Sequence, residues 1–204
     1  VLHNGSSWGS ISGGGSGGTV GGNSEVRIKD LASGTAAYGF DKYAGAISGG
    51  TNVSGNRTLV LDHVTVNSFQ ASLSDFTHVS VVNRTNTALD SLGGALTLTI
   101  ESGSALTLAG ASDLTSLVLG ENAGSVIVDI TGTSSYTLSL TEIPANLANI
   151  KFLSNGVLYD AQMTTDPQAN TAMIFAQVPE PGTATLSLLG LAALLWRRSR
   201  TIPH

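Results

Sequence analysis

The stretch Leu96-Thr97-Leu98-Thr99-Ile100-Glu101-Ser102-Gly103-Ser104-Ala105-Leu106-Thr107-Leu108 decides the reading of this chain. Leu96, Leu98 and Ile100 alternate with Thr97, Thr99 and Glu101, and Leu106 and Leu108 alternate with Thr107. A strand sends successive side chains to opposite faces, so this spacing describes a strand with one buried and one wet face. Threonine on the wet face fits, because its branched Cβ sits well on a pleated surface. Between the two strands, Glu101-Ser102-Gly103 is turn chemistry.

The pattern recurs outward from this point. Val126, Val128 and Ile130 oppose Ile127, Asp129 and Thr131, and Tyr136, Leu138 and Leu140 oppose Thr137, Ser139 and Thr141. Strand centres fall near Leu61, Val79, Leu98, Leu117 and Leu138, with intervening strands near Leu106 and Val128. Leu92-Gly93-Gly94 and Gly120-Glu121-Asn122 punctuate them. An interval of about 20 residues is what one coil of a β-solenoid requires, since each coil buries its aliphatics only against its neighbours. The predicted fold is all-β, a right-handed parallel β-helix over residues 25–177. An antiparallel β-sandwich is the alternative, because short strands every 8–12 residues also build sandwiches. After Ile143-Pro144-Ala145-Asn146 the pattern loosens, and Ile150–Leu153, Gly156–Asp160 and Thr171–Gln177 read as closing strands of a cap.

Composition narrows the function. Charged residues make up only 11% of the 204, and cysteine is absent, which removes thiolate zinc sites and a cysteine nucleophile. The net charge is −5, but Arg197, Arg198 and Arg200 stand together near the C-terminus. The rest holds six basic and fourteen acidic residues, a balance of −8, so no basic surface for nucleic acid is expected. Residues 1–24, rich in Gly and Ser, read as a linker or long loop. Gly13 to Gly18 fits GxGxxG, and Gly14-Gly15-Ser16-Gly17-Gly18 fits a nucleophile elbow. Neither follows an apolar strand or opens a helix, so no cofactor or catalytic serine is assigned.

The end of the chain changes character. Val178-Pro179-Glu180-Pro181 stops the strand pattern, since two prolines flanking one residue exclude helix. An uncharged Leu/Ala-rich run over 182–196 follows, then the Arg cluster over 197–200 and a short tail over 201–204. Leu186, Leu188, Leu189, Leu191, Leu194 and Leu195 point all round a helix rather than along one stripe, which argues against an amphipathic helix packed on the domain. The run is short beside the about 20 residues that span a bilayer core, although Trp196 at the interface and snorkelling arginines extend its reach. Arg197, Arg198 and Arg200 would hold the cytoplasmic side.

Taken together, Val178-Pro179-Glu180-Pro181, the Leu/Ala run and the terminal arginines resemble the PEP-CTERM sorting signal of Gram-negative bacteria. The resemblance covers residues 178–200. It implies export, an inner-membrane intermediate, processing by an exosortase near Pro179, Glu180 and Pro181, and delivery to the cell surface or extracellular matrix, often alongside exopolysaccharide. Thr201-Ile202-Pro203-His204 extends beyond where such tails usually stop. No signal peptide stands at Val1, so the tail implies further sequence upstream.

Candidate chemistry in the domain is sparse. His78 alternates outward from Val79 and Val81. His63 follows Asp62, and the two could form a hydrogen-bonded pair, but two histidines without a third ligand make a poor metal site. Asp129, Asp160, Asp166, Glu101, Glu121 and Glu142 are scattered singly, and Arg57, Arg84 and Lys151 are the bases between Lys42 and the tail. Polysaccharide-cleaving β-helices gather carboxylates on one sheet face, which these intervals do not do. The expectation is a structural or adhesive surface protein, not an enzyme. Its outward Thr, Ser and Asn could contact glycans. A fragment of a glycan-processing β-helix is the alternative, and an autotransporter-like passenger has similar Gly-rich coils but needs a C-terminal membrane barrel.

Overall fold

The computed structural model describes residues 2–3, 10–14, 18–31, 45–69, 71–109, 114–120, 126–131, 137–141, 144 and 146–178. The described chain is all-β. A first sheet takes β1 (Leu2–His3), β3 (Ser24–Lys29), β5 (Arg57–Asp62), β7 (His78–Val82), β9 (Thr97–Ile100) and β11 (Ser116–Leu119), in that spatial order and all parallel. A second takes β8 (Asn86–Leu89), β10 (Ala105–Ala109), β12 (Val126–Asp129) and β14 (Ile150–Ser154), also parallel, with β15 (Val157–Asp160) added antiparallel at its end. A third is short and parallel: β2 (Ile11–Ser12), β4 (Ala46–Ser48) and β6 (Ser72–Ser74). The antiparallel sandwich is thereby set aside, since apart from β15 the neighbouring strands of these three sheets run the same way and are reached through another sheet.

One coil shows the path. β5 lies in the first sheet, Phe69 bridges to Leu89 beside the second, and β6 lies in the third before β7 returns to the first. Register follows the aliphatics. Leu59 pairs with Val79, Val79 with Leu98, and Leu98 with Leu117, while Thr87, Leu106, Val126 and Ile150 form the matching row on the second sheet. Leu59, Leu98 and Ile150 have no exposed surface, and these rows merge into one core. Burying each such side chain contributes roughly 1.5–3 kcal/mol. A slip of one residue would turn every one of them to water, which is what fixes the register.

The corner after the first sheet is repeated as well. Asp30, His63 and Asn83 directly follow β3, β5 and β7, with φ of 55, 56 and 53. Left-handed backbone ends a strand and suits Asn and Asp better than most residues. His63 therefore lies outside the strand rather than within it. At the corner near β6, Gly93 has φ +62, and a Cβ there would stand 2.9 Å from the backbone carbon of Leu73. Glycine is required at that point by both conformation and space.

Several expectations are corrected. Leu96 is 48% exposed, because the amides of Leu96 and Thr97 both donate to the Thr77 carbonyl. That doubled acceptor acts as a bulge and sets the alternation out of step before Leu98. The Leu138 strand, β13 (Thr137–Leu140), does not continue the first sheet. It pairs antiparallel with β17 (Thr171–Phe175), which pairs antiparallel with β16 (Gln162–Asp166). β16 lies between two of the expected closing strands and was not among them. Within the Gly/Ser-rich 1–24, β1 and β2 pair into the sheets and Val20 bridges to Val53, so its described parts are strand partners rather than linker. Among the described residues no helix is long and apolar enough to cross a membrane. The expected anchor, 182–196 with Leu186 to Trp196, falls outside the described residues.

Candidate functional site

The described polar side chains gather in small, separate groups. The largest sits at the corner after the first sheet. Asp62 closes β5 and is only 4% exposed, yet both its oxygens are engaged. Arg27 Nη1 on β3 donates to Oδ2 at 2.8 Å, and Asn83 Nδ2 donates to Oδ1 at 2.7 Å. Arg27 Nε also donates to Glu25 Oε1 at 2.9 Å, and the Asn83 amide donates to Glu101 Oε2 at 2.9 Å. Burial alone would raise the Asp62 carboxyl, but hydrogen bonds from Asn83 and Arg27 outweigh it and hold the group below the usual carboxylate range. The same contacts, Glu25 first and then Asp62, raise the Arg27 guanidinium. This network links four successive strands of the first sheet, β3, β5, β7 and β9. Sequence spacing hides it, since β3 and β5 are 33 residues apart while later coils keep about 20.

A second group lies at the third sheet. Ser48 Oγ and Ser74 Oγ both donate to Asp75 Oδ2, at 2.8 and 2.9 Å, and lower its carboxyl, Ser48 contributing most. Arg57 Nε donates to the Asp75 carbonyl at 2.6 Å. Asp75, whose backbone is left-handed at φ 60, thus ties adjacent coils through its carboxylate where the chain turns.

The candidate residues named from sequence are not brought together. His63 Nδ1 lies 3.1 Å from Asp30 Oδ1, one coil away, and not against Asp62, whose oxygens face Arg27 and Asn83. His78 Nδ1 lies 2.8 Å from the neighbouring Thr77 hydroxyl. Asp129 Oδ1 accepts from the Thr131 amide, and Asp166 Oδ1 from the amides of Gln168 and Ala169, each within its own turn. Asp160 pairs with Lys151 across β14 and β15. Glu121 and Glu142 lie outside the described residues. Among the described residues no three His, Asp or Glu side chains come together in a group that could hold a metal ion.

The remaining candidate is the tail, and the cap leads straight into it. β17 is the middle strand of its sheet, with Ala172 and Ile174 buried against β13 and β16. Ala176 is buried, Gln177 is exposed, and Val178 packs on the core. Pro179, Glu180, Pro181, the Leu/Ala run and Arg197, Arg198 and Arg200 lie outside the described residues.

Residues 177–200 match the family model of the PEP-CTERM protein-sorting motif. The chain carries the signal of a protein sorted toward the cell surface by an exosortase-type enzyme acting at the membrane. No curated protein and no solved structure matches the chain, so the likeness to autotransporter passengers gains no support.

Proposed function

We propose that this chain is a structural or adhesive component of the cell surface or extracellular matrix, built as a right-handed parallel β-helix and delivered through its PEP-CTERM tail. The match over 177–200, set directly behind a folded cap, is the observation that carries this reading. Parallel strands reached through intervening sheets favour the right-handed crossover, which is by far the commoner hand. In this reading 182–196 holds the precursor transiently in the inner membrane, with Arg197, Arg198 and Arg200 on the cytoplasmic side. The exosortase then processes the protein near Pro179, Glu180 and Pro181. The outward row Thr58, His78, Thr97 and Ser116 on the first sheet offers hydroxyls and an imidazole to extracellular polysaccharide. A scaffold is preferred to a glycan-processing enzyme because the carboxylates of Asp62, Asp75, Asp129, Asp160 and Asp166 are engaged in their own turn, ion pair or corner rather than aimed at a shared point.

The test is to express the full-length gene in its native host and in an exosortase-deficient strain. The expected result is a shortened form at the surface or in the medium, absent from the deficient strain, where the full tail is retained. A chain that keeps its intact tail and stays inside the cell in both strains overturns the reading.

A further inference from the structure

The sorting motif and the fold overlap. The match begins at Gln177, while Val178 still packs on the core, one residue before Pro179. The chain immediately upstream is the most firmly held part of the cap. Ala172 to Phe175 is paired on both sides and Thr171 with β16, with Leu138 and Met163 opposite Ile174, and Ala172, Ile174 and Ala176 all buried. A processing enzyme grips its substrate as an extended segment several residues long, using the backbone hydrogen bonds of that segment. Residues 171–175 have already committed theirs to β13 and β16.

Resting on the reading above, we propose that the folded cap sets the N-terminal limit of processing: the exosortase cuts on the C-terminal side of Val178 and cannot reach into 171–177 while β17 is in place. The severed peptide bond passes its acyl carbon to the enzyme's nucleophile and then to water or to an acceptor amine. The departing nitrogen takes up a proton and leaves with the Leu/Ala run. From Phe175 to Pro181 an extended chain reaches at most about 20 Å, so a cut near Pro-Glu-Pro brings the enzyme close against the cap. The mature domain is then joined to whatever receives it by a few residues only.

The experiment maps the C-terminus of the surface-released protein by mass spectrometry in three forms. The natural chain is expected to end at Val178 or later, with no product ending within 171–177. Ile174→Ala, which leaves a void between Leu138 and Met163, is expected to add products ending inside 171–177. Met173→Ala, on the exposed face of the same strand, is expected to leave the terminus where it was. A natural product ending within 171–177 overturns the proposal even if Ile174→Ala does not fold. An unchanged terminus in a folded Ile174→Ala also overturns it, because recognition rather than the fold would then set the limit. If the tail is never removed, the sorting reading itself fails and this inference falls with it, an outcome distinct from a cut in the wrong place.

Discussion

From Arg57 to Leu119 the inward aliphatic rows of the first sheet set like against like one coil away, as Leu59, Val79, Leu98 and Leu117 show. From Thr137 to Phe175 the neighbours instead come from hairpin-like pairing, with Leu138 and Met163 flanking Ile174. The stack is open-ended by construction, because each parallel strand offers the same edge that it received. The antiparallel cap breaks that rule. Its strands reverse direction, and the Thr141 amide and hydroxyl both donate to the Thr115 carbonyl, at 2.7 and 2.8 Å, tying it to the start of β11. Repetition builds the core, and a change of strand direction closes it.

The sharpest way to break the contrast is inside the stack. Leu98→Ala removes a side chain with no exposed surface between two like neighbours, and is expected to cost about 2–5 kcal/mol. Thr99→Ala, one position along and facing outward, should stay within about 0.5 kcal/mol. Equilibrium denaturation of both variants checks the pair, and equal losses would mean that the two faces of β9 do not differ.

A smaller effect is expected at the corner. Asp62→Asn removes the charge that Arg27 and Asn83 engage, at a cost of about 1–3 kcal/mol. Because the folded-state pKa of Asp62 is depressed, its contribution is present above the ordinary carboxylate pKa and is lost as pH falls through the folded value. The natural protein should therefore lose stability on acidification below about pH 4, and the variant should lose less over the same window. Thermal melting across that range measures the difference in slope. The smallest effect belongs to Lys151→Ala, at the junction where parallel β14 meets antiparallel β15. Its partner Asp160 is largely exposed, so the loss should be under about 1 kcal/mol and should shrink further in high salt.

The contrast also marks what the sequence could disclose. Period-2 alternation around Leu98, Leu106 and Val128 and the interval of about 20 residues are direct prints of the stack, because coil after coil solves the same packing problem. Pairing partners in the cap leave no such print. Leu138 alternates just as Leu98 does, and only strand direction separates them. The early coils were hidden for another reason, since the 33-residue step from β3 to β5 breaks the interval and the Gly/Ser-rich start masks β1 and β2. Leu96 misled because a doubled hydrogen bond to Thr77 shifts the alternation without any signal in residue type. In the tail the reverse held. Val178-Pro179-Glu180-Pro181, the Leu/Ala run and the arginines were legible as a linear signal, because an enzyme that reads chain chemistry needs no fold to display it.

The placement of β17 has a mechanical consequence. If the mature protein is attached by its C-terminus, as in the function proposed above, a pull enters the fold through Val178 and along β17. That strand is flanked on both sides, five residues against β16 and four against β13. A pull along its axis strains those two rows of bonds together in shear, rather than opening them singly like a zip. The strand nearest the tether is thus the one best placed to bear drag on the whole stack.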